Sequence, residues 1–366
     1  MSRARTVLSR AALVIVSTGV ALGIAEVGYR ATRPDAPGDG GGDDGWTQRY
    51  RRMNETIYMR STIDGLVYEP RPSSTIEMEY GVAGFDSARR RWDGSSPDET
   101  ADRIGVALIG DSLAWSEMVS VPDSLAVQLE RALGDGVGVS NFGVSGYATM
   151  EEARYFEARV APTEPDLVVL VFCLNDFFRA SGPYGRFATD AEAAQKDEQD
   201  RWFDSQARVR RETIDAIGQR DEAESTFTLL ARARSLIRRA RFDAAYTDEY
   251  LLAFDDDDHR AAVDAGLARL GAAIRASGAR AVLVISPMLE AWDAYRWSSL
   301  HAHVREVAER AGFTVIDPLD ALRAAHRPED LRFPGDQLHY GPDGNRALAD
   351  VVAGEIRSRE LVPSRR

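Results

Sequence analysis

The chain has 366 residues and a formal net charge of −13. That acid surplus argues against broad nucleic-acid binding, which needs a basic footprint. The single cysteine, Cys173, excludes an intrachain disulfide and a cysteine-based zinc site, and it reads as a small buried apolar residue.

Arg3, Arg5 and Arg10 precede an apolar run from Ala11 to Ala25. Basic residues followed by apolar ones mark residues 1–33 as a signal-anchor or a cleaved signal peptide, with a helix of a soluble protein as the remaining reading. The run falls short of the roughly 20 residues of a full span. Val7, Leu8 and Val27 extend it, and Ala21-Leu-Gly23 offers a small-x-small cleavage site. In the first two readings the globular part lies outside the cytoplasm, membrane-anchored or secreted. Residues 34–45, rich in Gly, Asp and Pro, read as a flexible linker; their spacing does not match a calcium-binding loop. Residues 46–103 are poorly periodic and are expected as strands or loops packed beside the main sheet.

Regular elements begin at Ile104. Residues 104–109 are apolar and partly β-branched, a buried strand. Gly110-Asp-Ser112 comes next, and a helix is expected from Pro122-Asp123, with Leu125, Leu129 and Leu133 on one face and Gly134 as its stop. A second strand spans 137–141 and ends in Asn141-Phe-Gly143. Thr149-Met-Glu-Glu152 has the spacing of a capping box and starts the next helix. The third strand, 167–172, precedes Asn175-Asp176. Residues 184–258 read as a charged helical insertion, placed to overhang the site as a lid. Within it, Leu229, Leu230, Ala233, Leu236 and Ile237 form a stripe crowded by arginines. The acid run 255–258 reads as a helix start rather than a metal site. Strands at 281–286 and 313–316 complete the set. His301 and His303 sit two apart on a helix and face different ways, so they cannot chelate together; His326 has no recognisable partner. Asp336-Gln-Leu-His339 precedes a last helix marked by Leu348, Val352 and Ile356.

Alternating strands and helices imply an α/β fold: three layers, α/β/α, around a five-stranded parallel sheet in flavodoxin-like order 2-1-3-4-5. That order puts Ser112, Gly143 and Asn175 at three adjacent strand tips. The backbone N–H groups of Ser112 and Gly143 and the Asn175 side-chain amide then suit one developing oxyanion. Asp336 and His339, three apart on one turn, suit a base and the carboxylate that orients it. Trp115 and Tyr147, near these residues, either shape a pocket or belong to the core.

The ordered set Gly110-Asp111-Ser112, Asn141-Phe142-Gly143, Asn175-Asp176 and Asp336-Gln337-Leu338-His339 resembles the SGNH (GDSL) hydrolase family, from about Ile104 to Ile356. One position departs from its pattern: Cys173 stands where the family usually has glycine. The resemblance implies that 46–366 is one catalytic domain, with Ser112 as nucleophile, His339 as base, Asp336 as its orienter, and Ser112, Gly143 and Asn175 as oxyanion donors. It implies a serine esterase acting through an acyl-serine, with no metal and no organic cofactor. The expected substrate is an acylated small molecule or polysaccharide, with O-acetyl esters of an envelope or extracellular glycan foremost. An O-acyltransferase with the same triad and a non-catalytic polysaccharide- or partner-binding envelope protein are the alternatives. The sequence leaves the oligomeric state open.

Overall fold

The computed structural model describes residues 53, 56–66, 68–92, 103–179, 251, 253–333 and 336–362. These all belong to one compact unit, 51–200 with 249–366. The N-terminal apolar run, the linker and nearly all of the 184–258 insertion lie outside the described residues. Among the described residues no helix is long and apolar enough to cross a membrane.

Two short antiparallel hairpins come first: β1 (Tyr58–Arg60) with β2 (Tyr68–Pro70), and β3 (Ser74–Met78) with β4 (Gly81–Phe85). The main sheet comprises β5 (Ile104–Gly110), β6 (Val137–Asn141), β7 (Leu167–Cys173), β8 (Arg280–Ser286) and β9 (Thr314–Ile316). It is parallel throughout, in the order β6-β5-β7-β8-β9. This is the expected 2-1-3-4-5 arrangement, and each strand begins and ends within a residue of its expected bounds. Right-handed crossovers place the connecting helices on both faces of such a sheet. β7 is buried at every position, as its unbroken Leu-Val-Val-Leu-Val-Phe-Cys run requires of a strand covered on both faces.

In chain order the helices are α1 (Ser112–Trp115), α2 (Leu125–Leu133), α3 (Thr149–Tyr155), α4 (Asp176–Arg179), α5 (Asp257–Ser277), α6 (Ser298–Ala311), α7 (Leu319–Ala325), α8 (Pro328–Leu331) and α9 (Pro342–Ser358). Helices α2 and α9 pack together over one face of the sheet. Leu125 and Leu129 of α2 and Leu348, Val352 and Ile356 of α9 share a core with Val106, Leu108, Val169, Val171, Val282 and Val284. Truncating a buried leucine such as Leu129 to alanine costs about 2–5 kcal/mol. Strand alternation turns Val168, Leu170 and Phe172 to the other face, where α3, α5 and α6 pack on one another.

Two local features differ in detail from the sequence expectations, and the acid run behaves as the expected helix start. Pro122 belongs to a short 3-10 turn, and α2 itself starts at Leu125 and stops at Gly134. The cap of α3 is shifted by one residue: Ala148 is the N-cap, and its N–H donates to Glu151 Oε2 at 2.9 Å. Thr149 is already helical there, so its hydroxyl cannot reach back to cap. In the acid run, Asp256 caps α5 by accepting from the Asp258 and His259 N–H groups.

Candidate active site

The carboxyl ends of β6, β5 and β7 lie side by side, with Leu108 opposite Asn141 and Gly110 opposite Val171. The turns that leave them carry Ser112, residues 141–147 and Asn175. Asp111 fixes the first turn: it is fully buried, caps α1 by accepting from Leu113 N–H at 2.9 Å, and accepts from Asn175 Nδ2 at 3.0 Å. One carboxylate thus holds both the nucleophile's helix and the Asn175 amide. Asn175 keeps a second amide hydrogen beyond the one given to Asp111.

The fourth segment closes the site. Ser112 Oγ lies 2.9 Å from His339 Nε2, and His339 Nδ1 lies 2.8 Å from Asp336 Oδ2. The second Asp336 oxygen accepts from the backbone N–H groups of Leu338 (2.8 Å) and His339 (2.9 Å), which locks the turn. Leu289 N–H, in the loop after β8, donates to the Gln337 carbonyl at 2.8 Å and fixes the same turn from outside. The bond order assigns Nδ1–H to the Asp336 side, leaving Nε2 to accept the Ser112 proton.

The GDSL-like lipase/acylhydrolase family model matches residues 108–347, well over half of the chain. The chain belongs to the GDSL-like lipase/acylhydrolase family. A sequence comparison with curated proteins finds no match. Among solved structures, TesA is similar at 14% identity and TM-score 0.41, covering 69% of this chain and 98% of its own. Axe2, an acetylxylan esterase from Geobacillus stearothermophilus, is similar at 16% identity and TM-score 0.40, covering 72% and 100%. Est24, a carbohydrate acetylesterase from Sinorhizobium meliloti, is similar at 13% identity and TM-score 0.37, covering 69% and 98%.

In this GDSL-family hydrolase the electrostatics suit a base. Burial pulls the His339 imidazole down, but the Asp336 hydrogen bond and charge, with Glu117 and Asp111 beyond, outweigh it and hold the group above its ordinary value. Burial pushes Asp336 up, and its bonds to His339 and to the turn's N–H groups outweigh that, so its carboxyl lies below the usual range. The His339 side chain keeps 20% of its surface open, enough for a substrate to reach the Ser112–His339 pair.

The structure corrects the expectation at Gly143. Its N–H is already taken, donating to Asn141 Oδ1 at 2.9 Å. Gly143 is glycine for packing: a Cβ there would lie 2.3 Å from the Trp115 backbone nitrogen. Asn141 is a strut between strand tip and nucleophile helix, because its Nδ2 also donates to the Ala114 carbonyl at 2.8 Å. Three residues on, Gly146 holds φ at +89°, and among the described residues nothing accepts its N–H or that of Ser112. The sequence carries a signal for Gly146, a second glycine in the turn that follows Asn141.

Ser145, beside Gly146, is held at each of its polar atoms. Its N–H donates to Tyr58 Oη (3.3 Å), its carbonyl accepts from Tyr68 Oη (2.7 Å), and its Oγ donates to Glu117 Oε2 (2.9 Å). Both tyrosines come from the first hairpin, Tyr58 from β1 and Tyr68 from β2. Trp115 and Tyr147 belong to the core rather than to a pocket; both are at most 1% exposed. His301 pairs with Asp317 and Tyr295, and His303 with Asp264, so neither serves the site. Among the described residues no cluster of His, Cys, Asp and Glu fits a metal ion.

Proposed function

We propose that this hydrolase is a serine esterase that cleaves short acyl esters, O-acetyl groups above all, on an envelope or extracellular polysaccharide. The observation that carries the reading is the continuous Ser112–His339–Asp336 chain of hydrogen bonds at 2.9 and 2.8 Å. His339 Nε2 takes the Ser112 proton as Oγ attacks the ester carbonyl. The carbonyl π electrons move to oxygen, and that oxyanion receives hydrogen bonds from Ser112 N–H, Gly146 N–H and the free Asn175 Nδ2 hydrogen. As the C–O bond to the alcohol breaks, His339 returns the proton to the leaving oxygen. Water, deprotonated by the same imidazole, then releases the acyl group as a carboxylic acid and restores Ser112.

The setting rests on the sequence: Arg3, Arg5 and Arg10 ahead of an apolar run, then a Gly/Asp spacer ahead of the first hairpin. The test is acetate release by the full chain from an O-acetylated polysaccharide, against the same polymer de-acetylated and against Ser112→Ala. Release from the acetylated polymer by the wild type alone is expected. Acetyl transfer to an added sugar that outpaces release to water would instead make the protein an acyltransferase.

A further inference from the structure

The loop after α1 carries a carboxylate that ester hydrolysis by the triad does not use. Glu117 N–H donates to the Ser112 carbonyl at 3.0 Å, so Glu117 rides on the nucleophile's own turn. On either side of it, Ser116 and Met118 hold left-handed φ angles of 57° and 66°. That conformation is unfavourable for residues with side chains and persists only where the surroundings impose it. Buried Arg91 imposes it here, donating to the carbonyls of Trp115, Ser116 and Val119. Ser145 Oγ, itself clamped by Tyr58 and Tyr68 through its backbone, fixes the Glu117 carboxylate from the opposite side of the site.

The result is a half-buried carboxylate at the site, with the Ser145 hydroxyl as its side-chain partner. Among the described residues Glu117 has no ion pair; Arg91 donates to the loop carbonyls and Arg332 to the Asp336 carbonyl. Glu117 is close enough to act on His339, which also faces Asp336 and Asp111. Among the described residues, three carboxylates, Asp336, Glu117 and Asp111, thus bear on the imidazole.

We propose that Glu117 is a substrate-selecting carboxylate, admitting esters whose groups beside the scissile bond are neutral or cationic and holding out those that carry an anion there. The proposal rests on the esterase reading and deepens it by naming the charge class of the substrate. The same charge acts on the product. A neutral ester yields a carboxylic acid that is ionised at neutral pH, and a neighbouring carboxylate repels it.

The test uses the full chain with 4-nitrophenyl acetate and the anionic 4-nitrophenyl hemisuccinate, which share a leaving group. At several ångströms and a dielectric between those of water and a protein surface, one like charge is expected to weigh about five- to tenfold. Glu117→Gln is expected to lower the acetate-over-hemisuccinate ratio of kcat/KM by that factor. It is also expected to move the acid limb of the pH profile to lower pH, since one of the three carboxylates that raise His339 is then neutral. Raising salt to about 0.5 M shortens the screening length to about 4 Å, so the wild-type ratio narrows while that of the variant stays flat. A ratio indifferent to the substitution, or a wild-type ratio indifferent to salt, overturns the proposal; the salt series needs no variant and stands even if Glu117→Gln does not fold. A wild type that cleaves neither ester overturns the hydrolase reading itself, which is a different result from cleaving both without preference.

Discussion

Ser112 Oγ and His339 Nε2 meet at 2.9 Å although 227 residues separate them in the chain. The contact exists because β5 delivers the serine at its tip, while the loop after β8 holds the Gln337 carbonyl and so sets the turn that carries His339. Substituting either partner removes the proton path. Ser112→Ala and His339→Ala are each expected to lower kcat by about 10⁴-fold or more, and the double variant to be no worse than either alone. Steady-state rates on 4-nitrophenyl acetate check this; additive losses would mean that the two residues do not act as a unit.

The pH dependence is set by the direction in which His339 is displaced. Its raised value means that the neutral imidazole dominates only above the ordinary histidine range, so kcat/KM rises with pH with a midpoint above about 6.5. Asp336→Asn removes the largest upward influence. The midpoint then drops and kcat falls by about 10⁴-fold, as expected for an imidazole held in the wrong tautomer. For stability, the raised His339 contributes below its unfolded value, and that contribution is lost as pH rises through the folded value. The lowered Asp336 contributes above its unfolded value, and its contribution is lost as pH falls through the folded one. Urea denaturation of the wild type and of Asp336→Asn across pH 3–9 reads both.

Gly143 and Gly146 separate packing from chemistry. Gly143→Ala is expected to lower Tm, since its Cβ meets the Trp115 backbone. Gly146→Ala carries the strain of a positive φ, roughly 1–2 kcal/mol, together with a loss of kcat from a displaced oxyanion donor. Asn175→Ala tests the neighbouring donor directly, with kcat down by about 10²–10³-fold and KM little changed. Equal kcat losses at 143 and 146, scaling with their Tm losses, would contradict the assignment.

The tyrosine clamp ties the first hairpin, β1 with β2, to Ser145 beside the triad. Tyr68→Phe keeps the ring contacts with Tyr58 and Tyr147 but removes the bond to the Ser145 carbonyl. The expected stability cost is about 1 kcal/mol. The turn that presents Gly146 loosens as well, so kcat falls more than KM changes. A variant with wild-type kcat would confine the first hairpin to a structural role.

Glu152 gives a stability prediction free of catalysis. It is 3% exposed, and neither of its carboxyl oxygens has a hydrogen-bond partner among the described residues. Burial first, then the charges of Asp111 and Glu151, push its carboxyl well above the usual range. A raised acid stabilises the folded state at low pH and loses that advantage as pH rises. Glu152→Gln is therefore expected to raise Tm near pH 7, with the gain vanishing near pH 4. Thermal melts of the two proteins at both pH values decide it.

The five-stranded sheet was legible because each strand is a bounded apolar run and strands alternating with helices imply a doubly wound parallel sheet. The triad segments were legible because each comes directly after such a strand or just before a long helix. The proposed role of Gly146 was not, because whether the Gly143 N–H stays open depends on where the Asn141 side chain goes, and the Asn141 bonds to Gly143 and Ala114 arise only in the fold. The Tyr58 and Tyr68 contacts were also hidden: they span 87 and 77 residues and come from segments without periodicity. Glu117 was missed for a related reason, since nothing in its neighbourhood along the chain announces Ser145 as its partner.

The most direct measurement is the intact mass of the full chain after treatment with a fluorophosphonate, which reacts only with an activated serine. A single adduct on the wild type, mapped to Ser112 and absent from Ser112→Ala and His339→Ala, is the predicted result. A folded wild type that takes no adduct, or one that His339→Ala takes equally well, would contradict a serine activated by His339.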